Sequence, residues 1–274
     1  MNDAAQFPKV FCFFFSKKKT SFLAFNGPAM DALEALRLQI EWGADEALAE
    51  LPIDRPAVPK AITPITAPKP LPALAQARHV AAEAQTREHL RQALLEFHAC
   101  ALRQTATKLV FADGNPDAGL MLVGEAPGAE EDLAGLPFVG ASGKLLDRML
   151  ASIGLDRTQY LITNVIPWRP PGNRPPTDLE VAQCLPFLIR HIELVRPKHL
   201  VLLGALASQS LTGRTDGIRR LRGQWLKLSF PALADPVPTL PTFHPAYLLR
   251  TPAAKREAWA DLIKLKIALN LTRG

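Results

Sequence analysis

Cysteine is scarce in this sequence, with three residues in 274, Cys12, Cys100 and Cys184. Thiols so few and so widely spaced exclude the disulfide framework of small secreted domains, and we expect a reducing compartment, the cytoplasm. Long apolar runs are also missing, since no stretch approaches the roughly 20 residues of a membrane span. Neither a GxGxxG loop nor a Walker sequence occurs, which argues against a generic nucleotide-binding domain.

Basic residues outnumber acidic ones by 32 to 26, which gives a formal net charge of +6 at pH 7. A positive surplus favours a polyanionic partner such as DNA, RNA or an anionic membrane surface. It is equally typical of a protein that is merely rich in arginine. Charge therefore leaves the partner open.

The N-terminal quarter of the chain differs in composition from the remainder. Residues 1–29 match no periodic template, and we expect a disordered or spurious extension there. Residues 30–50 carry apolar side chains near helical spacing and predict an N-terminal helix. Between 51 and 73 proline recurs every few residues, which removes amide donors and restricts φ, so a semi-rigid linker is predicted. The main folded domain is expected over residues 74–274.

Within that domain, short apolar runs alternate with stretches of helical periodicity. Strands are predicted at 108–111, 120–123, 160–164, 199–203 and 238–242, and helices at 142–153, 177–195, 205–212 and 252–270. This alternation favours a parallel sheet covered on both faces by helices. The run at 120–123 breaks into a glycine-bounded loop, Gly124–Gly128, then an acidic segment and Phe138. Ligands of open α/β sheets bind at the carboxyl ends of strands, so this loop is the first place to expect chemistry.

Six motifs now placed on this pattern occur in the order seen in a known family. They are GEAPG at 124–128, PFVG with GKLLD at 137–147, ITN at 162–164, RPPGNR at 169–174, LRGQW at 221–225 and HPAYLLR at 244–250. Across roughly residues 95 to 270 the chain resembles the uracil-DNA glycosylase superfamily, closest to its family 4, the bacterial and archaeal iron–sulfur branch. One such motif would be weak evidence, but six in order are highly specific.

The resemblance implies an α/β fold, a three-layer α/β/α sandwich around a central, mainly parallel four-stranded sheet. It also implies a DNA repair enzyme of base excision that flips uracil out of DNA and hydrolyses its N-glycosidic bond. An abasic site would remain, with no lyase step. The substrate would be uracil-containing DNA, single- or double-stranded. We further expect a cytoplasmic, nucleoid-associated bacterial monomer without a membrane partner.

The resemblance also implies the roles of the pocket residues. Phe138 matches the aromatic that stacks on the flipped base, and Asn164 the amide that reads N3–H and O4 of uracil against cytosine. His244 matches the donor to O2 of the leaving base, a bond that strengthens as negative charge develops. The backbone of Gly124, Glu125, Ala126 and Gly128 would line the uracil site.

The sequence leaves two roles open for the charged residue of the GEAPG loop, Glu125. Where family 1 enzymes carry an aspartate that orients water, this sequence has Ala126, so the loop shows no dedicated aspartate base. Glu125 either stabilises the oxocarbenium-like sugar or only fixes the loop. Gly128 stands where family 1 uses a tyrosine against thymine, and Glu131 or Asp132 is a candidate for excluding the thymine methyl group.

Several residues are expected to contact DNA. An apolar wedge in the base stack is assigned to Leu248, because it follows His244 by four residues as in the family. Phosphate contacts are expected from arginines, although a solvated arginine is the usual alternative. These are Arg169, Arg174, Arg222 and Arg250.

The sequence departs from family 4 at the cluster ligands. The four cysteine positions of the family are occupied here by Phe97, Cys100, Trp168 and Cys184. Two thiolates do not complete a four-iron cluster. We therefore expect no cofactor and no metal, with an aromatic plug where the cluster would lie and with Cys100 and Cys184 as residual ligand positions.

Two other functions remain possible from the sequence. One is a broader deaminated-base or mismatch glycosylase. The other is a catalytically weak protein that binds uracil or abasic sites, favoured by Ala126 and the lost ligands.

Overall fold

The computed structural model describes residues 72–270, together with Arg37. Apart from Arg37, residues 1–71 lie outside the described residues. They comprise the predicted extension, the predicted N-terminal helix and all but the last two residues of the predicted linker. The described domain opens with helix α1, Pro72–Glu83, two residues before the predicted boundary at residue 74.

Six strands form a single sheet in this part of the chain, in the order β1-β3-β2-β4-β6-β5. They are β1 Asp113–Gly114, β2 Leu120–Gly124, β3 Leu161–Asn164, β4 His199–Leu203, β5 Leu226–Leu228 and β6 Val237–Thr242. The four central strands, β3, β2, β4 and β6, are parallel, which confirms the predicted core. Two short antiparallel edge strands, β1 and β5, extend the sheet beyond the expected four.

The predicted strand at 108–111 is wrong. In that segment the Val110 amide donates to the carbonyl of Pro167, and the carbonyl of Phe111 accepts from the Thr163 hydroxyl. These isolated bonds hold the segment along the end of β3 without a ladder. Pairing starts only at Asp113, which lies opposite Ile162.

The helices cover the sheet on both faces. They are α2 Arg87–Glu96, α3 Leu102–Thr105, α4 Ala129–Ala134, α5 Ala141–Ala151, α6 Asp178–Val195, α7 Ala205–Thr212, α8 Ile218–Leu221, α9 Pro245–Arg250 and α10 Lys255–Ala268. None of the described helices is long and apolar enough to cross a membrane.

Alternation along β2 explains the two cores. Met121 and Val123 pack in one apolar cluster with residues of α1, α2 and α6, whereas Leu120 and Leu122 pack in another with residues of α5 and α10. Successive side chains of a strand point to opposite faces, and all five residues of β2 are buried. The result is a three-layer sandwich, as expected.

Parallel register brings the strand ends to one edge. Gly124 at the end of β2 lies opposite Asn164 at the end of β3, and β6 ends two residues before His244. Residues far apart in sequence therefore meet beyond the carboxyl ends of the central strands.

Candidate active site

A cavity of about 370 Å³ lies at this edge of the sheet. Most of the residues singled out from the sequence for base recognition line it, together with two arginines. The lining consists of Glu125, Ala126, Pro127, Gly128, Glu131, Phe138, Ser142, Asn164, Pro170, Asn173, Arg174, His244, Ala246 and Arg250. Of the residues predicted to contact uracil or DNA, Gly124, Asp132, Arg169, Arg222 and Leu248 are not among them.

Gly124 lies against two side chains that line the cavity, those of Asn164 and Phe138. A Cβ atom on Gly124 would lie 2.4 Å from Oδ1 of Asn164 and 2.4 Å from Cζ of Phe138. Real Cβ atoms essentially never approach so closely, so only glycine lets these two side chains converge. Gly124 therefore permits the site geometry although it does not line the cavity.

The GEAPG loop continues the pairing of the sheet for two residues. The carbonyls of Gly124 and Glu125 accept from the amides of Val165 and Ile166, at 2.9 and 3.0 Å. This anchors the loop beside Asn164. Burial raises the pKa of the Glu125 carboxyl, and the nearby Arg250 partly opposes that rise.

Glu131 joins the two walls of the cavity. Its carboxylate accepts from the Gly128 amide at 3.1 Å and from the Gly140 amide at 2.9 Å. Sequence analysis missed this bond, which the spacing of a glutamate three residues after a helix N-cap could have indicated. Asp132 does not line the cavity, because its carboxylate accepts from the amides of Thr107 and Lys108. The hypothesis that Asp132 excludes a thymine methyl group is therefore wrong.

Phe138 forms an apolar wall of the cavity. Its side chain is buried, and its ring centroid lies 5.7 Å from that of His244. The backbone at Phe138 has φ 57°, in the left-handed region that residues other than glycine seldom adopt. The amide side chain of Asn164, 5% exposed, lines the same cavity from the end of β3.

His244 caps helix α9. Its Nδ1 accepts from the Ala246 amide at 3.2 Å, so the ring is neutral and its proton resides on Nε2. Burial lowers the pKa of His244 to about 4, with a further reduction from Arg250 and a smaller opposing effect from Glu131. Gly204 makes room for it, because a Cβ there would lie 2.9 Å from Cβ of His244. The site therefore holds a neutral hydrogen-bond donor.

The predicted DNA-contacting arginines fall into two groups. Arg174 and Arg250 line the cavity, and Arg174 also donates to Glu180 at 2.6 and 2.9 Å. That pairing lowers the pKa of Glu180 to about 2. Arg169 does not line the cavity, but it donates at 2.7 Å to Asn173, which does.

Two of the predicted DNA contacts are contradicted by the structure. Leu248 is 0% exposed and packs with Phe243, Ala254 and Ala258, so it cannot enter a base stack. The helix exposes Leu249 instead, at 42%.

Arg222 is likewise unavailable to phosphate. Its guanidinium bonds bidentately to the buried Asp261, at 3.0 and 2.5 Å, and also to the carbonyl of Glu257. Asp261 further accepts from the Thr242 hydroxyl at 2.7 Å. Arg222, at the end of α8, is therefore bound to α10, and Asp261 in turn joins α10 to β6. Sequence alone offered no signal for this, since Asp261 lies 39 residues away.

The four cluster positions lie in one apolar core. Phe97, Cys100, Trp168 and Cys184 are each at most 2% exposed, and both cysteines are free thiols in the same apolar cluster. The ring of Phe97 packs 5.0 Å from that of Phe187. Among the described residues no group of three or more His, Cys, Asp or Glu side chains could hold a metal. The donor set does not fit a four-cysteine iron–sulfur cluster.

Comparison with known proteins agrees with this geometry. A family model described as the uracil DNA glycosylase superfamily matches residues 111–263. The type-4 uracil-DNA glycosylase of Archaeoglobus fulgidus is 42% identical over 170 residues, which cover 61% of this chain and 84% of that protein. The type-4 enzyme of Thermotoga maritima is 41% identical over 173 residues, covering 60% and 86%. That of Sulfurisphaera tokodaii is 36% identical over 184 residues, covering 65% and 83%. The chain belongs to the uracil-DNA glycosylase superfamily, in its family 4.

Proposed function

We propose that this protein is a DNA repair glycosylase that flips uracil out of DNA and hydrolyses its N-glycosidic bond, leaving an abasic site. One observation carries the proposal: Phe138, Asn164 and His244 converge on one cavity at the carboxyl edge of the sheet. A base within a duplex cannot be reached in the stack, so its recognition requires such a pocket. The type-4 relatives support the same conclusion.

Recognition of uracil is assigned to two side chains. The ring of Phe138 offers its face to the base. The Asn164 amide can accept from N3–H and donate to O4 at the same time. Cytosine presents a bare N3 and an amine at these places, so both bonds would be lost in a desolvated site. This arrangement selects uracil over cytosine.

Bond cleavage is assigned to hydrogen bonding and charge. As the glycosidic bond breaks, the electron pair moves to the base, and the Nε2–H of His244 donates to its O2. The neutral ring donates this hydrogen bond through Nε2 while its Nδ1 keeps the bond from the Ala246 amide, so its orientation is held as the charge develops. The Glu125 carboxylate lines the same cavity and can stabilise the cationic sugar until water adds to C1′. The proton that this water releases balances the negative charge of the departed uracil. No lysine lines the described cavity, so no amine is placed for a lyase step.

DNA binding is assigned to the cavity rim. Arg174, Arg250 and Arg169 are placed to contact phosphates. Each lost contact should reduce the slope of log affinity against log salt by about 0.9. We expect this for Arg250→Gln in a binding titration at several salt concentrations, whereas Arg190→Gln, far from the cavity on α6, should leave the slope unchanged.

The wedge role that Leu248 cannot fill is assigned to Leu249. On a helix, residues three apart are neighbours, so Leu249 lies beside Ala246, which lines the cavity. Leu249→Ala should slow excision from duplex DNA more than from single strands, because only the duplex must be held open. Equal effects on both substrates would contradict the assignment.

We also propose that the enzyme works without an iron–sulfur cluster. Phe97 and Trp168 occupy two ligand positions and fill the apolar core that they share with Cys100 and Cys184. Protein purified anaerobically should lack broad absorbance near ~400 nm and bound iron. About four irons per chain would refute this.

The activity is tested with a labelled oligonucleotide that carries a single uracil, treated with protein and then with alkali. The protein should be prepared from a host without its own uracil-DNA glycosylase. Cleavage at uracil alone supports the proposal, and cleavage at several lesions indicates a broader glycosylase. A shifted but uncleaved band would indicate the binding protein that Ala126 favours. His244→Ala serves as the matched control for site-specific activity.

A further inference from the structure

The backbone of Phe138 requires a physical explanation. It has φ 57°, and a bulky residue in this region is a conformational outlier that its surroundings must maintain. Its carbonyl also lies against the first turn of α5, since a Cβ on Gly143 would be 1.7 Å from that oxygen. The segment is therefore pressed onto the helix in a conformation that it would not adopt alone.

Arg157 supplies the side-chain hydrogen bonds to this segment. Its Nη2 donates to the carbonyl of Phe138 at 2.7 Å, and its Nη1 approaches the carbonyl of Pro137 at 3.4 Å. Carbonyls that accept from a guanidinium make stronger bonds than those that accept from neutral donors. The contact therefore acts directly on the residue whose conformation needs support.

The guanidinium is itself held by two carboxylates. It bonds to Asp147 of α5 at 2.8 and 3.3 Å and to Asp113 of β1 at 3.0 Å. Asp147 also accepts from the Tyr160 hydroxyl at 3.1 Å. Arg157, in a short 3₁₀ turn before β3, thus joins an edge strand and a helix to the Phe138 backbone.

We propose that Arg157 is a positioning residue for uracil excision. It holds Phe138 in the left-handed conformation and thereby keeps the aromatic face parallel to the flipped base. The inference rests on the proposed function, because it assigns to Arg157 an effect on the base that Phe138 stacks against. Lysine would not replace it, since a single ammonium cannot reproduce the planar fork that meets a carbonyl and two carboxylates together.

The test is a double-mutant cycle on single-turnover excision. Arg157→Gln should slow excision of uracil by roughly tenfold to a hundredfold, the scale on which small misplacements act. If Arg157 acts through Phe138, the same substitution should add little in a Phe138→Leu background. Additive losses, or an unchanged rate for Arg157→Gln, would overturn the proposal.

A matched control separates positioning from general stability. Arg190 also binds a backbone carbonyl, that of Ala84 at 2.9 Å, and a carboxylate, that of Glu193 at 3.1 Å. None of these residues lines the cavity. Arg190→Gln should therefore lower stability without slowing excision. Equal slowing by both substitutions would count against positioning.

Two further measurements keep the test decisive. If Arg157→Gln does not fold, Arg157→Lys retains a charge beside both aspartates and should fold with a slowed excision rate. If the parent excises no uracil, the proposed function fails, and NMR coupling constants that report φ of Phe138 test Arg157 independently. An unchanged φ in Arg157→Lys would overturn the proposal.

Discussion

Acidification is predicted to weaken the protein and its activity through His244. The pKa of His244 is lowered from 6.5 to about 4, first by burial and then by Arg250. The unfolded chain takes up this proton near pH 6.5, but the folded protein resists it until about pH 4. The contribution of neutral His244 to the free energy of unfolding is therefore fully present above pH 6.5. It decreases as the pH falls below 6.5 and is lost once the pH has fallen through 4. At roughly 1.4 kcal/mol per pH unit, this interval corresponds to about 3 kcal/mol.

Protonation also changes the hydrogen bonding of the ring. The cation would carry a proton on Nδ1, which now accepts from the Ala246 amide, so two donors would face each other. The N-cap of α9 would then be lost together with the orientation of Nε2. We expect the single-turnover excision rate to be constant from about pH 8 to about 5.5 and to fall towards pH 4.

The assay combines NMR titration of the histidine rings with excision rates measured across pH. His191 must be separated, because its pKa is lowered to about 3, by burial and then by Arg87. His191→Gln should alter the acid stability curve and leave the acid limb of excision in place. His244→Ala should lower the rate by about 10² to 10³. Titration of His244 near pH 6.5, or parental excision by His244→Ala, would refute the reasoning.

Three further predictions concern the cavity and the core. Asn164→Asp should relax the choice of uracil over cytosine, measured as cleavage at each base in the same oligonucleotide; unchanged discrimination would contradict the assigned role. Gly124→Ala should abolish excision, because its Cβ would overlap Asn164 and Phe138, whereas Gly217→Ala, which meets nothing within 4 Å, should remain active. Phe97→Ala should lower the free energy of unfolding in urea by about 3–5 kcal/mol, and a loss below about 1 kcal/mol would show that the aromatic plug is not packed.

The sequence predicted helices best where apolar residues recur with helical spacing, because that spacing marks the buried side of a helix. The helix predicted at 205–212 has those bounds in the structure, and the helix predicted at 177–195 begins one residue later. Apolar composition misled at 108–111, where an apolar segment is buried without pairing. A short apolar run indicates that a segment is buried. It does not indicate which backbone groups its amides will bond to, because those partners lie elsewhere in the chain.

The same distinction runs through the active site. The resemblance carried by the sequence motifs implied that Phe138, Asn164 and His244 would act together in one pocket. The sequence could not decide which leucine of α9 is exposed, because Leu248 and Leu249 are the same residue type. They differ only in the side of the helix on which they lie. Tertiary packing buries the first and leaves the second exposed.

The sequence by itself determined the alternation of strands and helices, the motifs of the pocket and the loss of two cluster cysteines. Only the tertiary structure decided which arginines pair with carboxylates inside the protein and which line the cavity. Arg222 is paired with Asp261, and Arg157 is paired with Asp113 and Asp147, whereas Arg250 lines the cavity. The physical reason is that the pairing of a charge depends on distance in space, and residues up to 44 positions apart in sequence supply these partners.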